Sequence, residues 1–178
     1  MIVRVVEYDC EWPLLFDEEA ERLREIFDQD IIEIHHIGST AVPDMWAKPV
    51  IDMMPLVTDI EIVDEYNEAM TAIGYEPMGE YGLPGRRFFR RGRDIRTHNV
   101  HFYQYGASNE VIRHLAFRDY LRSHPDAALR YCELKWKLAQ KYRRDIEGYM
   151  DGKDAFIKEI EKKAIDWYKA LPLEERDF

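Results

Sequence analysis

Cysteine is nearly absent from this chain. Cys10 and Cys132 are the only two in 178 residues, and their separation matches neither a disulfide framework nor a structural zinc spacing. Free thiols in a reducing, cytoplasmic setting are the expectation. Long apolar runs are missing as well. No stretch approaches the ~20 residues of a membrane-spanning helix, and the opening "MIVRVVEYDCEWP" lacks the apolar region of a signal peptide, so no membrane partner is expected. Basic charge is also in short supply: 25 Lys and Arg face 35 Asp and Glu, a formal charge of -10. Such a balance argues against general adhesion to nucleic acid or anionic membrane. An anionic substrate therefore needs a local basic patch. Neither a repeat nor a low-complexity linker interrupts the chain. A single domain over 1–178 is the expectation, since a chain of this size buries roughly 70% of its unfolded surface.

The apolar pattern divides the chain into strands first and helices later. After a short strand near Val3 to Val6, Trp12, Leu15, Phe16, Glu19, Leu23, Ile26 and Phe27 fall mostly at helical spacing. "IIEIHHI" at 31–37 is β-branched and stops at Gly38, while "PVIDMMPLV" at 49–57 is apolar on both parities, as in a central strand covered on both faces. A helix is expected from Ile60 to Ile73, with Gly74 as its left-handed cap. Residues 81–106 read as a loop and a hairpin joined near Gly92, with Asn99, His101 and Tyr103 on one side and His98, Val100 and Phe102 on the other. Helices are expected over 109–123, 126–149 and 153–170, with Leu134, Leu138, Phe156, Ile160, Ala164 and Trp167 as core faces. The fold class is α+β: a mixed sheet with packed helices and a helical C-terminal third.

Within this pattern, Gly38-Ser39-Thr40 stands at a strand end. Glycine permits close backbone approach, and the amides with the Ser39 hydroxyl suit phosphate oxygens; the same tripeptide also makes an ordinary turn. Asp52 interrupts an apolar strand. An ionised carboxylate there costs several kcal/mol unless a cation or hydrogen bonds compensate it. It fits an oxygen ligand for Mg2+ or Mn2+, or a strand-end acid paired with Lys48 or an arginine. Arg86, Arg87, Arg90, Arg91, Arg93 and Arg96 crowd into eleven residues with only Asp94 among them. Arg87 and Arg91, with Lys48, are candidates to clamp phosphate, and a solvated charged face is the other reading. Arg118 and Arg122 lie one helical turn apart beside Asp119, which makes Arg118 a further phosphate candidate. His101 shares a strand face with Asn99 and suits a metal ligand or a general base. A hydrogen-bonded core histidine is the alternative, as for His35 and His36.

The blocks "VEYDCEWPLLFDEE", "HIGSTAVPDMWAKPVIDMMPLV", "PGRRFFRR", "RTHNVHF", "HLAFRDYLRSHPDAALRYCELKWKLAQKY" and "GKDAFI", in this order from about Tyr8 to Trp167, resemble the GrpB family, whose domain also occurs joined to dephospho-coenzyme A kinase. The resemblance implies a nucleotidyltransferase-like fold. In that fold a Gly-Ser turn holds nucleotide phosphates, here Gly38 and Ser39, and acids on the next strand bind divalent metal, here Asp52. The chain departs from the usual pattern at Met54. Active nucleotidyltransferases carry a second acid two residues after the first, which allows two metals to be clamped, and a thioether does not bind a hard cation. The family's His-any-His pattern likewise begins with Asn99 here. Two expectations follow. One is a metal-dependent transferase using a nucleoside triphosphate, with Asp52 and His101 as catalytic and metal-binding residues. The other is a module that binds a nucleotide or coenzyme-like phosphorylated small molecule without turnover. A purely structural role for the acidic helical third ranks third.

Overall fold

A computed structural model describes residues 2–178, and no helix among them is long and apolar enough to cross a membrane. The described residues form two compact units: one from residues 10–37 and 50–106, the other from 2–9, 38–49 and 107–178. Each is taken by itself.

The first unit is a sheet backed by helix. α1 (Trp12–Phe27) starts with proline in its first turn and buries Trp12, Glu19, Ala20, Leu23 and Phe27 at helical spacing. β1 (Ile31–Ile37) runs antiparallel to β2 (Ile51–Val57), setting Ile37 opposite Asp52. The remaining strands are β3 (Tyr75–Pro77), β4 (Arg87–Arg91) and β5 (His98–Gln104), and the sheet order is β1-β2-β5-β4-β3. Only the β2–β5 pair is parallel, which makes the sheet mixed, and Asp52 is in register with Asn99 across it. β4 and β5 form the expected hairpin. Gly92, at φ 94°, turns it where a side chain would meet the Ile95 carbonyl. α1 packs against β1 and β2, and Phe27 meets Phe102 and Tyr66 at ring distances of 4.8 and 4.2 Å.

One helix expected in this unit begins differently. Ile60–Tyr66 is a 3-10 segment, and α2 covers only Asn67–Ala72. The Asp59 side chain accepts from the Glu61 amide at 3.0 Å, and its carbonyl takes the Ile62 amide, which tightens the turn. Gly74 keeps its left-handed place at φ 93°.

The second unit is helical: α3 (Asn109–Ser123), α4 (Pro125–Lys141) and α5 (Ile146–Ala170), with α5 packed on both others. The Ser108 hydroxyl caps α3, and proline opens α4. The last break falls at 142–145 and not near 150. The Asp145 side chain captures the Gly148 amide at 2.9 Å and so caps α5. Gly152, which falls in the expected break between 149 and 153, continues α5 and lies against the Leu138 methyls of α4, so it marks close helix packing. The core gathers Val42, Met45, Leu121, Tyr131, Cys132 and Ile160, and a smaller group holds Val3, Ala139 and Tyr149. Leu134, Leu138, Phe156 and Trp167, expected as core, are only partly buried. The expected strand at 3–6 reduces to one bridge, Val6 with Ala47.

Candidate functional site

In the helical unit, Gly38 adopts φ 73° and ψ -169°, a region open essentially to glycine alone. Ser39–Ala41 then makes one 3-10 turn, with the Ala41 amide on the Gly38 carbonyl. This conformation swings the chain out of β1 and presents the Ser39 hydroxyl, while Thr40 is buried. Across from Ser39 stands a residue that the sequence reading passed over. Lys135 of α4, 2% exposed, donates from Nζ to Ser39 Oγ at 3.0 Å and lies 4.3 Å from the centre of the Tyr131 ring. Burial pushes the Lys135 ammonium down to about 7, with Cys132 opposing the shift and the Lys153 charge adding to it. Lys153 of α5 is also buried, and its Nζ lies 4.6 Å from the Tyr149 ring centre. Lys48 reaches the same ring at 5.7 Å.

Arg118 is turned inward in this unit. Its guanidinium donates to Asp119 at 2.8 Å and to Asp177 at 2.7 Å, so it fastens α3 to the last residues of the chain. Arg122 donates to the Ala41 carbonyl at 2.9 Å and thereby supports the turn after Ser39. A cavity of about 930 Å³ opens beside α4, walled by Trp46, Leu121, Leu129 and Trp136, with Arg122 and Lys137 at its polar rim.

In the sheet unit, Asp52 is the one residue of β2 that is not buried. Parallel pairing with β5 aligns it beside Asn99, whose amide donates to Asp52 Oδ1 at 3.0 Å. His101 Nε2 stands 3.6 Å from the same oxygen. Buried Arg86 donates to the carbonyls of Glu80 and Tyr81 and approaches His101 Nδ1 at 3.5 Å. An arginine only donates, so in this contact His101 offers the Nδ1 lone pair, while Nε2 faces Asp52 beyond hydrogen-bond distance. Met54 is fully buried. No group of three or more His, Cys, Asp or Glu suited to a metal ion occurs among the described residues. Asp52 is thus a single-carboxylate donor, which fits one hard cation whose other ligands are water and substrate oxygens.

Half of the arginine run is matched by acids. Arg87 makes a two-pronged contact with Asp64 at 2.8 and 3.1 Å, and Arg90 pairs with Glu76 at 2.7 Å. Arg91 donates to buried Glu19 at 2.8 Å and to His98 Nδ1 at 2.9 Å. His35 contacts Glu33 at 2.9 Å, and His36 stacks on Phe16 at 4.8 Å.

With the geometry described, known proteins supply the frame. The profile of the family described as GrpB protein matches residues 2–163. The chain is 48% identical over 167 residues to UPF0157 protein YqkA of Bacillus subtilis, a match that takes in 94% of this chain but spans 48% of that protein. It is 28% identical to a dephospho-CoA kinase of Mycolicibacterium paratuberculosis, covering 93% of this chain and 46% of the kinase, in agreement with the joined arrangement expected above. The crystal structure of GrpB from Enterococcus faecalis is 48% identical and superposes with a TM-score of 0.90 over 93% of this chain and 99% of that one. The Cid1 poly(U) polymerase, solved bound to MgATP, is 15% identical with a TM-score of 0.52 over 78% of this chain and 44% of that one. The α+β, nucleotidyltransferase-like fold expected from the sequence is therefore present, and the chain belongs to the GrpB family.

Proposed function

We propose that the chain binds a nucleotide or phosphorylated small molecule and serves as a metal-dependent nucleotidyl- or phosphoryltransferase toward an acceptor still to be identified. The observation that carries the reading is the turn after β1. Gly38 holds a backbone that only glycine adopts readily, and Ser39 presents its hydroxyl to a buried lysine. Gly38, Ser39, Thr40 and Lys48 are assigned to the phosphates. Asp52 is assigned to one Mg2+ or Mn2+, a bound cation of this kind neutralising charge on transferring phosphate oxygens. Asn99 orients the Asp52 carboxylate by donating to Oδ1 at 3.0 Å, with His101 Nε2 3.6 Å from the same oxygen, which leaves Oδ2 for the ion. Arg87, Arg91 and Arg118, each paired with carboxylates, act as supports of the frame.

A second reading, binding without turnover, is favoured by buried Met54 at the place of a second acid. Thermal-shift and calorimetric measurements with ATP, GTP, CTP, UTP and coenzyme A precursors separate the two. A ligand at 100 times its dissociation constant stabilises the fold by about 2.7 kcal/mol. If the transferase reading holds, stabilisation depends on Mg2+ or Mn2+ and falls in Asp52→Asn. Binding that is indifferent to both selects the binding module.

A further inference from the structure

The fold treats the arginines of residues 86–96 unequally. Arg87 and Arg91 are held by Asp64 and Glu19, and Arg86 by backbone carbonyls. Arg90 engages Glu76 through Nε at 2.7 Å, and its two Nη groups make no hydrogen bond among the described residues. Arg93 and Arg96 sit on the turn between β4 and β5, which the Thr97 amide closes onto the Arg91 carbonyl at 3.0 Å. Neither makes a hydrogen bond or an ion pair with any described residue, and Asp94 between them pairs with neither. Arg96 is half-buried all the same; burial, and after it the Arg90 charge, pulls its guanidinium below the ordinary value. The Glu76 carboxyl is held low by the Arg90 hydrogen bond and then by the Arg96 and Arg93 charges. Three guanidiniums thus gather on one carboxylate, in a chain that has 35 acids for 25 bases. Their planar forks suit the oxygens of a phosphate.

Strand register ties this cluster to Asp52. Asp52 is paired with Asn99, Asn99 with Arg90 and Arg90 with Glu76, so the four form one row across β2, β5, β4 and β3. Asn99 donates to Asp52 at one end of the row and Arg90 to Glu76 at the other. Two strand spacings, about 10 Å, separate the Arg90 and Asp52 backbones. Arg90 and Arg93 also wall a cavity of about 390 Å³, together with Glu76, Thr71 and Gly74, a volume of small-ligand size. All of these residues belong to the sheet unit.

We propose that Arg90, Arg93 and Arg96 form a binding site for the phosphate group of a small phosphorylated ligand, at the β4–β3 end of the polar row that begins at Asp52. The site deepens the transferase reading, on which it rests for events at Asp52, by giving the acceptor a phosphate handle about 10 Å from the metal-binding carboxylate.

Titration of the full chain with ribose 5-phosphate, with ribose and with a single-stranded RNA oligonucleotide, followed by calorimetry, tests the site; ATP with Mg2+ is titrated separately. The proteins compared are the wild type, the double variant Arg93→Gln/Arg96→Gln and, as a charge-matched control on exposed positions of α5, Lys162→Gln/Lys169→Gln. The expected result is saturable binding of ribose 5-phosphate and none of ribose, with at least a fivefold loss of affinity in the arginine variant and no loss in the lysine control. Equal affinity in the arginine variant and the wild type overturns the site, as does an equal loss in the control, which would mean attraction by overall charge alone. Wild type that binds no ribose 5-phosphate also overturns it, and RNA binding lost in the arginine variant would then make the cluster a nucleic-acid contact. ATP binding is expected to be unchanged in the arginine variant, and its loss there would overturn the assignment of these arginines to the acceptor. Arginine-dependent binding of ribose 5-phosphate by a wild type that binds no ATP supports the site and removes the transferase reading. Should the double variant fail to fold, exposed Arg93→Gln carries the test, with a severalfold loss expected and an unchanged affinity overturning the proposal.

Discussion

Replacing Lys135 by methionine keeps most of the volume and removes a buried charge, so ligand-free protein at pH 7 is expected to gain about 2 kcal/mol, within the range seen when buried ionic groups are exchanged for apolar ones. Urea unfolding measures it; a loss of stability would instead make the Ser39–Lys135 bond a structural tie. The gain depends on pH in a defined direction. Folded Lys135 titrates at about 7 and the unfolded residue near 10.4. Between these values the unfolded chain holds the proton that the folded chain has lost, so wild-type stability rises with pH. The advantage of Lys135→Met is therefore largest at pH 7 and below, and shrinks toward pH 10. Nothing in "CELKWKLAQK" distinguishes Lys135 from its solvated neighbours, since its burial arises only when α4 meets the Gly38 turn. Gly38 and Asp52 were legible because each breaks a local pattern: glycine at a strand end, an acid in an apolar run.

At the scale of elements, α1 and the sheet are joined through Glu19, which accepts from Tyr75 Oη at 2.9 Å and from Arg91 at 2.8 Å, while Arg91 also meets His98. Burial, and after it the Arg91 charge, pushes His98 down to about 4. Its unfolded value lies near 6.5, so below that pH the unfolded chain takes up a proton that the folded chain refuses. Stability is lost as pH falls from about 6.5 toward 4. Thermal unfolding across this window is expected to show a shallower decline for His98→Asn than for wild type; parallel curves would contradict the assignment. The arginine run was visible as an excess of charge in an acidic chain, but its partners Glu19, Asp64 and Glu76 come from other elements, and spacing within the run does not reveal them. The break between α4 and α5 was misplaced for a related reason. Gly152 carries a breaker's residue type but continues α5 against the Leu138 methyls, whereas the cap that starts α5 is the side chain of Asp145.

For the molecule as a whole, strand periodicity and residue order were enough for the α+β class, because a mixed sheet followed by three helices has few packings. The chemistry was less legible, since it depends on which side chains the fold brings together: Asp52 with Asn99 and His101 in one unit, Ser39 with Lys135 in the other. The most direct measurement is calorimetric titration of ATP, GTP, CTP and UTP, each with Mg2+, into the full chain and into Ser39→Ala. Saturable micromolar binding of at least one nucleotide, weakened severalfold in Ser39→Ala, is the expected result. Absence of binding for all four, or binding unchanged in Ser39→Ala, would contradict the assignment of the Gly38-Ser39 turn to nucleotide phosphates.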